Sequence, residues 1–107
     1  MVLTRDFKLT VVERVVRDPA FANALLDEAA TLFLNGEVET ARLILRDLVN
    51  ATLGFEQLSK VTFKPSKSLL RMLSPSGNPT MDNLAAIFGA LRDRLGVALE
   101  VRVVERV

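Results

Sequence analysis

Four cations in a segment without acidic residues are the side chains best suited to chemistry. Lys60, Lys64, Lys67 and Arg71 fall within residues 57–81, which contain no Asp or Glu. Attraction to phosphate acts over about 8 to 10 Å at ordinary salt, so a local excess of cations suits a polyanion although the net charge of the chain is only +1. The same charges could equally form a solvated surface patch. Residues 57–81 are therefore a candidate polyanion contact.

Catalytic and metal chemistry have few residues to draw on. The 107-residue chain contains no Cys and no His, which removes thiol nucleophiles, disulfides and the commonest metal ligands. Ser66, Lys67 and Ser68 do not suggest a Ser–Lys nucleophile, because adjacent residues of a helix do not face each other. Glu37 and Glu39 suit the start of a helix better than a pair of catalytic acids. We predict no enzymatic activity, no metal site and no cofactor.

Apolar residues recur at helical spacing through most of the chain, which predicts an all-α fold. Such stripes cover residues 7–16, 21–33, 38–52 and 84–95, and each is interrupted by residues that commonly end a helix or begin one. The length fits one small domain. We predict a single five- or six-helix domain, residues 1–107, made of N-terminal helices (1–36), a helix-turn-helix core (37–96) and a C-terminal strand (97–107).

The basic window carries two short helical patterns separated by a break at residues 62–65. In a helix-turn-helix, a small residue of the first helix packs against the second, and an aliphatic residue ten positions later joins the same core; Ser59 and Leu69 have this spacing. The outer face of the second helix could then reach base edges in the major groove through Lys67, Ser68 and Arg71. Contacts with the DNA backbone are expected from Lys60, Lys64, Ser66, Ser76 and Asn78.

The last residues change from helical to alternating spacing. Val97, Leu99, Val101 and Val103 alternate with small or charged residues, which is the pattern of a β-strand. A single strand leaves its backbone donors and acceptors unpaired, and the only other strand candidate in the chain is the short segment 1–4. We therefore hypothesise that the C-terminal strand pairs with a second copy of the protein or with another protein.

Several segments of the chain resemble the HigA-type addiction-module antidote proteins of the lambda-repressor-like, or Xre, DNA-binding families. The resemblance is carried by ILRDLVNATLGFEQL (44–58), PSKSLLRMLSP (65–75) and GNPT (77–80), with TRDF (4–7) and RDPAF (17–21). It implies an antitoxin that neutralises a RelE/HigB-like toxin and represses its own operon as a DNA-binding homodimer. The surfaces left for the toxin would be the N-terminal helices or the C-terminal strand.

The turn of the predicted helix-turn-helix departs from that family. Phe63 stands where the family usually has Gly, Lys64 replaces an aliphatic residue, and Ser59 replaces Ala. Keeping the family turn would place Phe63 at positive φ, at a cost of about 1 to 2 kcal/mol, unless the turn is reshaped. An alternative function is therefore a protein-interaction module that binds a toxin or another partner without reading DNA.

Neither secretion nor membrane insertion is predicted. Arg5, Asp6 and Lys8 occupy the first residues, which lack the apolar core of a secretory signal. Charged residues interrupt every apolar run before it reaches the roughly 18 residues that a membrane helix needs. We expect a cytoplasmic protein that does not enter the membrane.

Overall fold

The computed structural model describes residues 11–107, and this part of the chain contains helices but no strand. Residues 11–17 are helical and are called α1. The five helices that follow are α2 (Pro19–Leu34), α3 (Val38–Ala51), α4 (Gly54–Thr62), α5 (Ser66–Met72) and α6 (Met81–Leu95). The all-α prediction is confirmed, with six helices in the described residues. Segment 1–4, the second strand candidate, lies outside them.

The helix boundaries follow from local hydrogen bonds. Asp18 caps α2 by accepting a hydrogen bond from the Ala20 backbone N–H at 3.1 Å, and Pro19 occupies the first turn, where a missing N–H costs nothing. Thr80 caps α6 in the same way, through the Asn83 N–H at 3.1 Å. Gly96 ends α6 at φ 67, a left-handed conformation that glycine adopts without strain.

One hydrophobic core joins all six helices. α2, α3 and α6 supply most of its large side chains, and α1 adds two valines that are nearly buried. Leu58 of α4 and Leu69 of α5 are completely buried in the same core, as the helix-turn-helix spacing predicted for Leu69. Phe33 and Phe88 join α2 to α6 at the edge of the core, with ring centroids 6.0 Å apart in an edge-to-face arrangement. The short helices α4 and α5 are thus held on a frame of longer helices.

The structure does not contain the predicted C-terminal strand. Residues 97–107 have no regular secondary structure, although Val97 and Leu99 pack against the core in alternation with exposed neighbours. Val101 and Val103, on the same side of the alternation, are 75% and 95% exposed. A strand requires a second strand to satisfy its backbone N–H and C=O groups, and residues 11–107 contain no other strand.

None of the helices within residues 11–107 has both the length and the apolar composition required to cross a membrane.

Candidate nucleic-acid interface

The connection between α4 and α5 is a tight turn closed by Ser59. The backbone carbonyl of Ser59 accepts hydrogen bonds from the N–H groups of Phe63 and Lys64, and its hydroxyl donates to the carbonyl oxygen of Lys64. Pro65 follows in an extended conformation, φ −61 and ψ 140, and α5 begins at Ser66. Ser59 therefore closes the turn with both its backbone carbonyl and its hydroxyl. Ala could supply the carbonyl but not the hydroxyl.

Phe63 adopts a left-handed conformation at the turn between α4 and α5. Its dihedral angles are φ 57 and ψ 35, and it is the sole residue other than glycine with positive φ among the described residues. A residue with a Cβ thus occupies a conformation that glycine adopts without strain. Phe63 is 93% exposed, so burial of the side chain does not offset the backbone strain.

Replacing Phe63 with Gly should raise the free energy of unfolding by about 1 kcal/mol. Glycine removes the strain of a left-handed residue, which is about 1 to 2 kcal/mol. Because glycine also has more conformational freedom in the unfolded chain, the net stabilisation is smaller than the strain removed. Urea unfolding followed by circular dichroism measures the change, with Phe63→Ala as the control, since Ala keeps a Cβ and so keeps the strain. Equal stability of the two variants would show that the positive φ costs little here.

The structure places two of the three predicted base-reading residues, Lys67 and Arg71, on the outer side of α5. Lys67 and Arg71 are exposed, and Ser68 is half-buried. Because Lys67 and Arg71 are four residues apart on one helix, they share a face. Leu69 and Leu73 fill the core on the opposite side. The helix is thus anchored by leucines and presents a cationic surface to solvent.

The predicted backbone contacts surround α5 but differ in accessibility. Lys60, Ser76 and Asn78 are exposed, whereas Lys64 and Ser66 are half-buried. The hydroxyl of Ser66 donates a hydrogen bond of 3.5 Å to the Phe55 carbonyl, which joins the start of α5 to the start of α4. Ser66 therefore has a structural contact in addition to any contact with a ligand.

Sequence reasoning missed Arg42, which holds the loop after α5. Arg42 is only 6% exposed; its Nε donates to the Ser74 carbonyl at 3.1 Å and its Nη2 to the Pro75 carbonyl at 3.0 Å. The sequence does contain one indication that Arg42 is buried: it lies three residues before Leu45, on the buried side of α3. A buried arginine at such a position requires acceptors, which the loop carbonyls supply.

Gly77 holds the same loop against the end of α5. A Cβ at this position would collide with the carbonyl oxygens of Arg71 and Met72, so a larger residue would displace the loop. Ser76 and Asn78 flank this glycine and are therefore fixed beside the C-terminal end of α5. Together, the part of α4 from Gln57 onward, α5 and this loop form one candidate surface, and all of it belongs to the acid-free segment 57–81.

Within residues 11–107, no cluster of three or more His, Cys, Asp or Glu side chains could hold a metal ion. The described chain is an all-α protein in which two short helices, joined by a tight turn, carry Lys60, Lys67 and Arg71 at exposed positions. Comparisons with protein-family models, curated proteins and solved structures found no match.

Proposed function

We propose that this protein is a sequence-specific DNA-binding antitoxin, which neutralises a RelE/HigB-like toxin and represses its own operon. The observation that supports DNA binding best is the arrangement of α5: Lys67 and Arg71 are exposed on one face while Leu69 is completely buried on the other. A helix anchored in this way can enter the major groove as a rigid unit. The proposals of a toxin partner and of operon repression rest on the resemblance to HigA-type antidote proteins.

Base recognition would come from α5, and the mechanism is binding without turnover. Arg71 can form paired hydrogen bonds to the O6 and N7 atoms of guanine, and Lys67 can reach guanine or a phosphate. Ser68 would contact a base edge from its half-buried position. Salt-sensitive contacts with the phosphates would come from the surrounding residues Lys60, Lys64, Ser66, Ser76 and Asn78.

Replacing Arg71 with Ala should cost about 1 to 3 kcal/mol of discrimination at one base pair of the operator. A bidentate contact distinguishes guanine from the other bases. Arg71→Ala should therefore weaken binding to the operator but not binding to a duplex in which that base pair has been replaced. Fluorescence anisotropy on both DNA duplexes measures it. Arg94→Ala, which removes an exposed cation from the last turn of α6, is the matched control and should leave discrimination unchanged. Equal losses on all duplexes would make Arg71 a phosphate contact.

The proposed homodimer and toxin complex use surfaces away from α5. A two-fold dimer predicts a palindromic operator with half-sites about 34 Å apart or a multiple of that distance. The C-terminal segment 97–107 would become a strand on pairing, and the N-terminal helices remain available for the toxin. Operator binding also implies a cytoplasmic location. A gene for a small basic ribonuclease-like protein immediately upstream of this one would support the assignment.

A protein-interaction module that binds the toxin without reading DNA is the second candidate. The exposed, strained Phe63 favours it, because an exposed aromatic side chain in a strained turn suits contact with a protein. Electrophoretic mobility shift with the upstream region separates the two functions. A shift that weakens steeply with salt supports the first, whereas toxin capture without any shift supports the second.

A further inference from the structure

An apolar cleft of about 830 Å³ lies between the last turns of α2, the first half of α6 and residues 99–104. Exposed large apolar side chains are concentrated around it: Leu34, Val38, Met81, Val101, Val103 and Val104. Phe33, Leu84 and Phe88 form deeper parts of its wall. A contiguous apolar surface of this kind is characteristic of an interface.

The C-terminal segment borders this cleft with residues 99–104, and its alternating pattern separates partly buried from exposed positions near the core. Leu99 is partly buried against the core, while Ala98 and Glu100 on either side are exposed. In an extended segment, Val101 and Val103 lie on the same side as Leu99. Both border the cleft but are largely exposed. The apolar side of the segment thus continues beyond the core without a packing partner among the described residues.

We propose that residues 98–104 of two copies pair as antiparallel strands about a two-fold axis at Val101, with the paired strands covering the two clefts. The inference rests on the homodimer of the proposed function and names its contact surface. Pairing would supply the backbone hydrogen bonds that segment 97–107 lacks in the single chain. It would also place Leu99, Val101 and Val103 of both copies on one apolar side.

The charges of Glu100 and Arg102 favour a two-fold axis at Val101. A two-fold interface must be self-complementary, and an axis at Val101 sets Glu100 of each copy opposite Arg102 of the other. An axis at Glu100 would oppose two carboxylates, and an axis at Arg102 would oppose two guanidinium groups. The pattern of one acid and one base around a central valine therefore suits a second copy of this chain.

The remaining axes disrupt the apolar side. An axis at Val103 also pairs opposite charges, Glu100 with Arg106, but it sets Val101 opposite Glu105. An axis between two residues pairs odd positions with even ones, which places charged side chains beside the valines. The axis at Val101 alone combines paired charges with an uninterrupted apolar side from 99 to 103.

Charge exchange tests the pairing in the full chain. Glu100→Arg and Arg102→Glu each replace both cross-strand pairs with like charges, and each should raise the dimer dissociation constant about tenfold. The double variant Glu100→Arg/Arg102→Glu restores opposite charges in exchanged positions and should return the constant to within about twofold of wild type. Sedimentation equilibrium measures all four proteins. A monomeric wild type, or a double variant no better than the singles, would overturn the proposal.

Cysteine cross-linking tests the position of the axis. The chain has no Cys, so a single introduced thiol can form a disulfide only between copies. In the Val101→Cys variant the two thiols lie opposite each other across the axis and should form a disulfide under mild oxidation. In the Val103→Cys variant each thiol lies opposite Leu99 of the second copy and should remain largely uncross-linked. Preferential cross-linking of Val103→Cys, or equal cross-linking of both, would overturn the register.

These measurements also separate the inference from DNA reading. A cross-linked dimer that fails to shift operator DNA would support this pairing and contradict the proposed DNA binding. A DNA-binding protein whose Val101→Cys variant does not cross-link would contradict the pairing alone.

Discussion

We expect Leu69→Ala to lower the free energy of unfolding by about 3 kcal/mol, and Leu70→Ala to lower it by less than about 1 kcal/mol. The two leucines are neighbours on α5, and the substitutions remove the same atoms. Leu69 is completely buried, so its removal leaves a cavity, while Leu70 is 40% exposed and leaves little. Leu and Ala have similar helix propensities, so the difference reports burial.

Urea unfolding monitored by circular dichroism measures both variants. Because Leu69 anchors the helix that carries Lys67 and Arg71, Leu69→Ala should also weaken the proposed operator binding under conditions where the variant remains folded. Leu70→Ala serves as the control for both readouts. Similar losses of stability from the two substitutions would mean that α5 is not oriented as described.

Arg42→Met should lower the free energy of unfolding by about 3 kcal/mol. The substitution preserves much of the aliphatic volume but removes both hydrogen bonds to the Ser74 and Pro75 carbonyls. Hydrogen bonds from a charged donor contribute about 1.5 to 3 kcal/mol each, and methionine leaves the acceptors with fewer partners. Better burial of an uncharged side chain offsets part of the loss.

Arg94→Met is the matched control for Arg42→Met. Arg94 is exposed in the last turn of α6, and its replacement should change stability by less than about 0.5 kcal/mol. Hydrogen exchange should also quicken in the loop that carries Ser76 and Asn78 when Arg42 is replaced, since the side chain joins this loop to α3. An Arg42 variant as stable as the control would mean that water replaces these hydrogen bonds without cost.

Sequence patterns predicted the features that depend on neighbouring residues. The apolar stripes identified α2, α3 and α6, because a period of 3.6 places apolar side chains on one face of a helix. Thr80 and Gly96 delimit α6 through hydrogen bonds and a dihedral angle within one turn. Likewise, the ten-residue interval from Ser59 to Leu69 predicted the packing of two short helices, since both residues lie within one compact unit.

Contacts between distant residues escaped the same reasoning. Arg42 meets acceptors 32 and 33 positions later, and a helical pattern does not reveal which loop will cover a buried arginine. The hydroxyl of Ser59 became part of the turn because Lys64 presents its carbonyl there. Alternation at the C-terminus predicted a strand. A strand forms only when a second strand pairs with its backbone groups, and residues 11–107 contain no second strand.

The sequence by itself determined the all-α class, the limits of the longer helices and the placement of four cations in an acid-free segment, because each depends on residue types within a few turns. Only the tertiary structure decided that Lys67 and Arg71 face solvent while Leu69 is buried, that Phe63 keeps a left-handed turn, and that Arg42 holds the following loop. These outcomes depend on which surfaces of the helices meet, and packing selects them through burial and steric fit across the whole core.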